Sequence, residues 1–90
     1  MQQRTLNSEI EALVKDLFIA FGKEPKYEKE RIRIYVKTIL KFNNLRIDVF
    51  ETACESLLMN NTFLPTISEI KNEYQTKLYF SSSKDGVRFG

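Results

Sequence analysis

The sequence predicts an all-α fold, a small four-helix orthogonal bundle followed by a short flexible C-terminal tail. Three observations predict it. Apolar residues recur in steps of three and four along four separate stretches, the spacing of helices that each bury one face. The 90 residues contain only 3 glycines and 2 prolines, too few for the many turns of a β fold. Helix-start signatures stand at the polar breaks between the stretches.

The first helix spans Ser8 to Phe21. Ser8 and Glu11 have capping-box form, a hydroxyl that accepts from a free N–H and a carboxylate that reaches back. Ile10, Leu13, Val14, Leu17, Phe18 and Phe21 share a face. Gly22 follows where a left-handed C-cap is needed. The second helix runs from Tyr27 to Phe42, entered after Pro25, with Ile32, Tyr35, Val36, Ile39 and Leu40 as its stripe. "IRIYV" alternates as a strand would, but the length of the stretch and the following "KTILKF" favour a helix. The third helix lies within Leu45 to Asn60 and buries Ile47, Phe50, Ala53, Cys54, Leu57 and Leu58. Asn44 and Asp48 are both candidates for its N-cap. Asn60-Asn61 stops it, because Asn tolerates the left-handed conformation.

"NNTFLPTISEIKNEY", residues 60 to 74, then makes a corner of fixed angle. Pro65 locks its own φ and pushes Leu64 into an extended conformation. Thr66 and Glu69 form a capping box for a fourth helix, Ile67 to about Leu78, with Ile67, Ile70, Tyr74 and Leu78 inward. Phe63 and Leu64 are expected to plug the gap between the third and fourth helices. Residues 1–78 thus make a single domain. "YFSSSKDGVRFG", residues 79–90, has no helical period and reads as a flexible tail.

Composition narrows the function. Net charge is only +2, but it is banded: −1 over residues 1–21, +5 over 22–46, −4 over 47–76 and +2 over 77–90. Such bands steer charged partners or let neighbouring helices attract. There is no histidine, which removes the commonest general base and zinc ligand together. The single cysteine, Cys54, lies on a helix stripe and reads as a small buried hydrophobe, in a chain without disulfides. Gly22, Gly86 and Gly90 are isolated, so no phosphate-cradling loop exists. No apolar run approaches the roughly 18 residues that span a bilayer, and "MQQRTLNSEIEALV" has no signal-peptide core. A non-enzymatic, intracellular protein without metal or cofactor is expected.

Two sets of residues are candidates for binding. Lys29, Arg33, Lys37 and Lys41 step by four along the second helix and suit phosphate contacts with nucleic acid. The competing reading is a solvated face, with Glu28 and Glu30 interleaved and the acidic third helix nearby. Tyr79, Phe80, Arg88 and Phe89 are candidate anchors for a protein partner; the alternative is that Tyr79 and Phe80 pack back on the bundle. Self-association of the helices is a third class of use.

The series "YEKERIRIYVKTILKF" then "RIDVFETACESLLMNNTFLPTISEIKNEY" resembles the all-helical N-terminal domain of phage replicative-helicase loader/inhibitor proteins. Phe63, Pro65, Thr66, Ile67, Glu69 and Ile70 match that family's F-x-P-T-I-x-E-I-like corner, and the resemblance covers about residues 8 to 75. The family often carries tryptophan in its second helix; Tyr35 takes that place here. The resemblance implies a phage or mobile-element regulator, active in the bacterial cytoplasm, that binds a hexameric replicative helicase through its C-terminal extension and catalyses nothing itself. A phage inhibitor of another host machine, such as a defence nuclease, or a small DNA-binding module are the alternatives.

Overall fold

The computed structural model describes residues 5–42 and 45–86, with side chains up to residue 80. Four helices form an all-α bundle: α1 (Leu6–Ala20), α2 (Lys29–Ile39), α3 (Ile47–Asn60) and α4 (Ile67–Gly86). A 3-10 turn, Pro25–Tyr27, leads into α2. The strand-like alternation of "IRIYV" therefore resolves as helix. α1 packs on α2 and α3, and α4 packs on α3 and α2, while α2 and α3 do not approach each other among the described residues. Around the bundle the order is α1, α2, α4, α3. The two charged helices, basic α2 and acidic α3, occupy opposite corners.

Local chemistry sets each boundary. Thr5, not Ser8, caps α1: its Oγ1 accepts from the Ser8 N–H at 3.0 Å. The expected Ser8–Glu11 box does not form, and Glu11 pairs instead with Lys15 one turn on, at 3.1 Å. Gly22 adopts φ +80° as expected. Its N–H reaches the Ile19 carbonyl and the Lys23 N–H reaches that of Phe18, both at 2.9 Å, so two end carbonyls of α1 are satisfied. α2 is shorter than its apolar stripe, giving way to a turn at Leu40. Extended Arg46 precedes α3 without a side-chain cap, and Asp48 sits inside the first turn. Asn44 lies outside the described residues. The Arg46 guanidinium, 2.9 Å from Asp48, holds that carboxyl below its ordinary pKa. α3 stops at Asn61, which is extended (φ −106°, ψ 145°) rather than left-handed.

The core is apolar throughout, with no buried charge among the described residues. Ile10, Val14, Leu17 and Phe18 of α1 meet Ile32, Tyr35, Val36 and Ile39 of α2, and Val49, Phe50, Ala53, Cys54 and Leu57 of α3 meet Ile70 and Tyr74 of α4. Of the other stripe residues, Leu13, Phe21, Leu40, Ile67 and Leu78 are partly buried against this core, and α3 departs from its expected stripe. Ile47 is only partly buried and Leu58 is exposed, while Val49 is core.

Two tyrosine hydroxyls make long-range hydrogen bonds. Tyr35 donates to the buried Pro65 carbonyl at 2.9 Å, and its ring meets Phe18 edge-on at 5.1 Å. The Tyr74 hydroxyl accepts from the Arg46 N–H at 2.8 Å, ahead of α3. The boundary placed at residue 78 is corrected, since α4 continues as helix to Gly86. An established helix adds residues at little cost, and nothing before Gly86 breaks the chain. Apolar periodicity is absent there because periodicity reports packing rather than helicity. Tyr35→Phe keeps the Phe18 contact and strands the Pro65 carbonyl. It should lower unfolding free energy by about 1–3 kcal/mol, read as a reduced urea midpoint with unchanged slope.

Candidate functional site

The corner between α3 and α4 is built rigidly. Pro65 is fully buried, and its carbonyl is held by Tyr35. The Thr66 N–H donates to Glu69 Oε1 at 2.9 Å, and the Glu69 N–H donates to Thr66 Oγ1 at 3.2 Å, the capping box expected there. Leu64 packs against the core. Phe63 does not, and its expected role as a plug is wrong: it is 80% exposed. Pro65 and Leu64 supply the apolar packing of the corner instead. Met59, in the last turn of α3, is 84% exposed, and Leu58 beside it is also exposed. Two large apolar side chains are thus held in solvent on a fixed frame. Met59 was legible as off the α3 stripe, about half a turn from Leu57. Phe63 lies in a loop, where no periodicity reports direction.

The basic ladder is exposed but does not form one surface. Lys29, Arg33 and Lys37 line a groove between α1 and α2, joined by Lys15 from α1, which sequence reasoning had not included. Lys41 instead lines a cleft toward α4 with Phe42, Lys71 and Tyr74. Residues four apart drift about 40° per step around a helix, and Lys41 lies beyond the end of α2, so the ladder does not keep to one face. Arg33 is engaged by Glu30 at 2.6 Å. Lys29, Lys37 and Lys41 make no ion pair among the described residues. The acidic third helix, expected nearby, is on the far corner and does not neutralise them.

Tyr79 and Phe80 are exposed on α4 rather than packed back on the bundle, with their rings edge-on at 5.6 Å. Arg88 and Phe89 lie outside the described residues. Cys54 is buried, and loss of hydration pushes its thiol up to about 12, with Glu51 and Glu55 adding to the shift. A thiol in that state is a packing group and a poor nucleophile. Among the described residues no cluster of side chains is arranged to hold a metal, and no helix is long and apolar enough to cross a membrane.

Two outcomes follow. Phe63→Ala should change stability by less than about 0.5 kcal/mol, whereas Pro65→Ala should cost about 1–2 kcal/mol through lost burial and a freer unfolded chain, both read by thermal melting. Cys54 should resist alkylation by iodoacetamide at pH 8 in the native protein and react promptly in urea, as mass spectrometry would record.

No family model, curated protein or solved structure matches this chain.

Proposed function

We propose that the chain is a non-catalytic, protein-binding regulator whose contact surface includes the corner between α3 and α4. One observation carries this reading: Met59 and Phe63 stand in solvent on a backbone fixed by Pro65, the Tyr35 bond and a capping box. Large apolar side chains carried on an already ordered backbone need no backbone ordering to dock, which suits them to act as anchors. Isolated exposed apolar residues are ordinary; a neighbouring pair on a clamped corner is not needed by the fold and suits a partner. Tyr79 and Phe80 offer a second contact farther along α4.

The partner class proposed is a hexameric replicative helicase of a phage or its bacterial host. Support comes from the loader/inhibitor-like residues Phe63, Pro65, Thr66, Ile67, Glu69 and Ile70, which make up this same corner. Regulation would consist of delivering the helicase to DNA or restraining it. A second reading, a DNA-binding module, is favoured by one observation: Lys29 and Lys37 of α2 share a groove and make no ion pair among the described residues.

Tagged protein, incubated with host lysate with and without nuclease, separates these readings. Nuclease-resistant recovery of a replicative helicase is expected, with at least a tenfold loss for Met59→Ala/Phe63→Ala at unchanged melting temperature. Recovery of a different single protein with the same dependence moves the target to another host machine. Recovery that vanishes with nuclease and falls steeply with salt would replace the protein-binding reading with the DNA-binding one.

A further inference from the structure

α1 lies between α2 and α3, so its outward face has a groove on either side. The groove toward α2 holds about 580 Å³ and carries Lys15, Lys29, Arg33 and Lys37. Its one carboxylate, Glu11, is already paired with Lys15. The groove toward α3 holds about 180 Å³ and carries Asp16, Glu51 and Glu55, with no cation in its lining. Ser8, Ala12 and Ile19 share the helix face opposite the buried Ile10, Val14 and Leu17. Two of the three are small, and Ile19 is a large apolar side chain 56% exposed. The face is therefore a narrow uncharged ridge with a positive trough on one side and a negative trough on the other.

Such a surface is complementary to itself under one operation. Rotating a second copy by 180° about an axis parallel to α1, lying in the plane of contact, exchanges left and right. Each basic trough then faces an acidic trough, and both pairings are made at once. The other in-plane axis, perpendicular to α1, sets like charge over like and is repelled. A head-to-tail contact satisfies one trough per copy and leaves the second open. The opposite charges also match in height. Lys15 and Asp16 are adjacent along α1. The start of α2 lies at the level of the second half of α1, where Arg31 sits over the Phe18 ring at 5.6 Å. Glu51 and Glu55 share their groove with Asp16.

We propose that the protein forms a two-fold symmetric dimer through α1, the basic α1–α2 groove of each copy seated on the acidic α1–α3 groove of the other. The occupant of these grooves is a second copy of the chain. Met59 and Phe63 line neither groove, although Leu58 next to Met59 lines the acidic one; the proposal rests on the two grooves and not on what the corner binds.

Sedimentation equilibrium on the full chain tests it. The wild type should approach twice the monomer mass as concentration rises and go no further. Its dimer fraction should fall as salt shortens the screening length from about 10 Å to about 3 Å. Lys29→Glu/Arg33→Glu makes both troughs acidic, and Glu51→Lys/Glu55→Lys makes both basic; circular dichroism verifies that each variant remains folded. Each alone should be monomeric, and an equimolar mixture should recover the dimer. A wild type that stays at monomer mass overturns the proposal and leaves the basic groove to an acidic helix of another protein or to nucleic acid. Mass growing beyond two copies, or variants that dimerise alone as the wild type does, overturns it equally.

Discussion

The hydrogen bond from Tyr35 to the Pro65 carbonyl is the constraint on which the rest of the structure depends. A carbonyl buried in an apolar core needs a donor, and proline supplies no N–H of its own to begin a local solution. The donor comes from 30 residues away, on α2. The same ring meets Phe18 of α1 edge-on. One side chain therefore joins α1, α2 and the corner. The corner sets where α4 departs, and α4 brings Tyr74 to the Arg46 N–H ahead of α3. Tyr35 ties the α1–α2 pair to the corner of the α3–α4 pair, Tyr74 ties α4 to the entrance of its neighbour α3, and neither bond needs a buried charge.

That clamp has a functional consequence. A corner held only by apolar packing relaxes when a side chain turns outward. This one has Pro65 and Leu64 inside, a reciprocal capping box behind them and a cross-bundle bond beneath. Phe63 and Met59 can remain in water without loosening the frame. The arrangement separates the residues that stabilise the corner from those that face outward, although they are interleaved along the chain.

Charge is arranged by topology in the same way. The sequence bands carry +5 and −4 in succession, which invites the idea that neighbouring helices neutralise each other. The order of helices around the bundle prevents it for α2 and α3, which α1 and α4 hold apart, although the Glu69–Glu73 part of the acidic band lies on α4, beside α2. An apolar core separates the α2 cations from the α3 carboxylates, and each set remains at the surface. Salt bridges are accordingly local, most of them within one turn of a helix, and they contribute little to stability.

The sequence by itself determined the fold class, the four stripes, the Gly22 stop, the Thr66–Glu69 cap and the packing role of Cys54. All of these rest on short-range spacing or on one residue's backbone preference, which act before any tertiary contact exists. It missed the Thr5 cap, since Thr5 and Ser8 are both competent and the choice between them depends on where α1 must start to pack. It ended the fourth helix at Leu78 because periodicity records burial, and an unburied helix leaves none. Tertiary structure alone decided which way Phe63 points, that Lys41 leaves the ladder while Lys15 joins it, and that basic and acidic helices lie on opposite corners. Those facts depend on which helix stands beside which, and that order is fixed by core shape and by two tyrosine hydroxyls acting across about thirty residues.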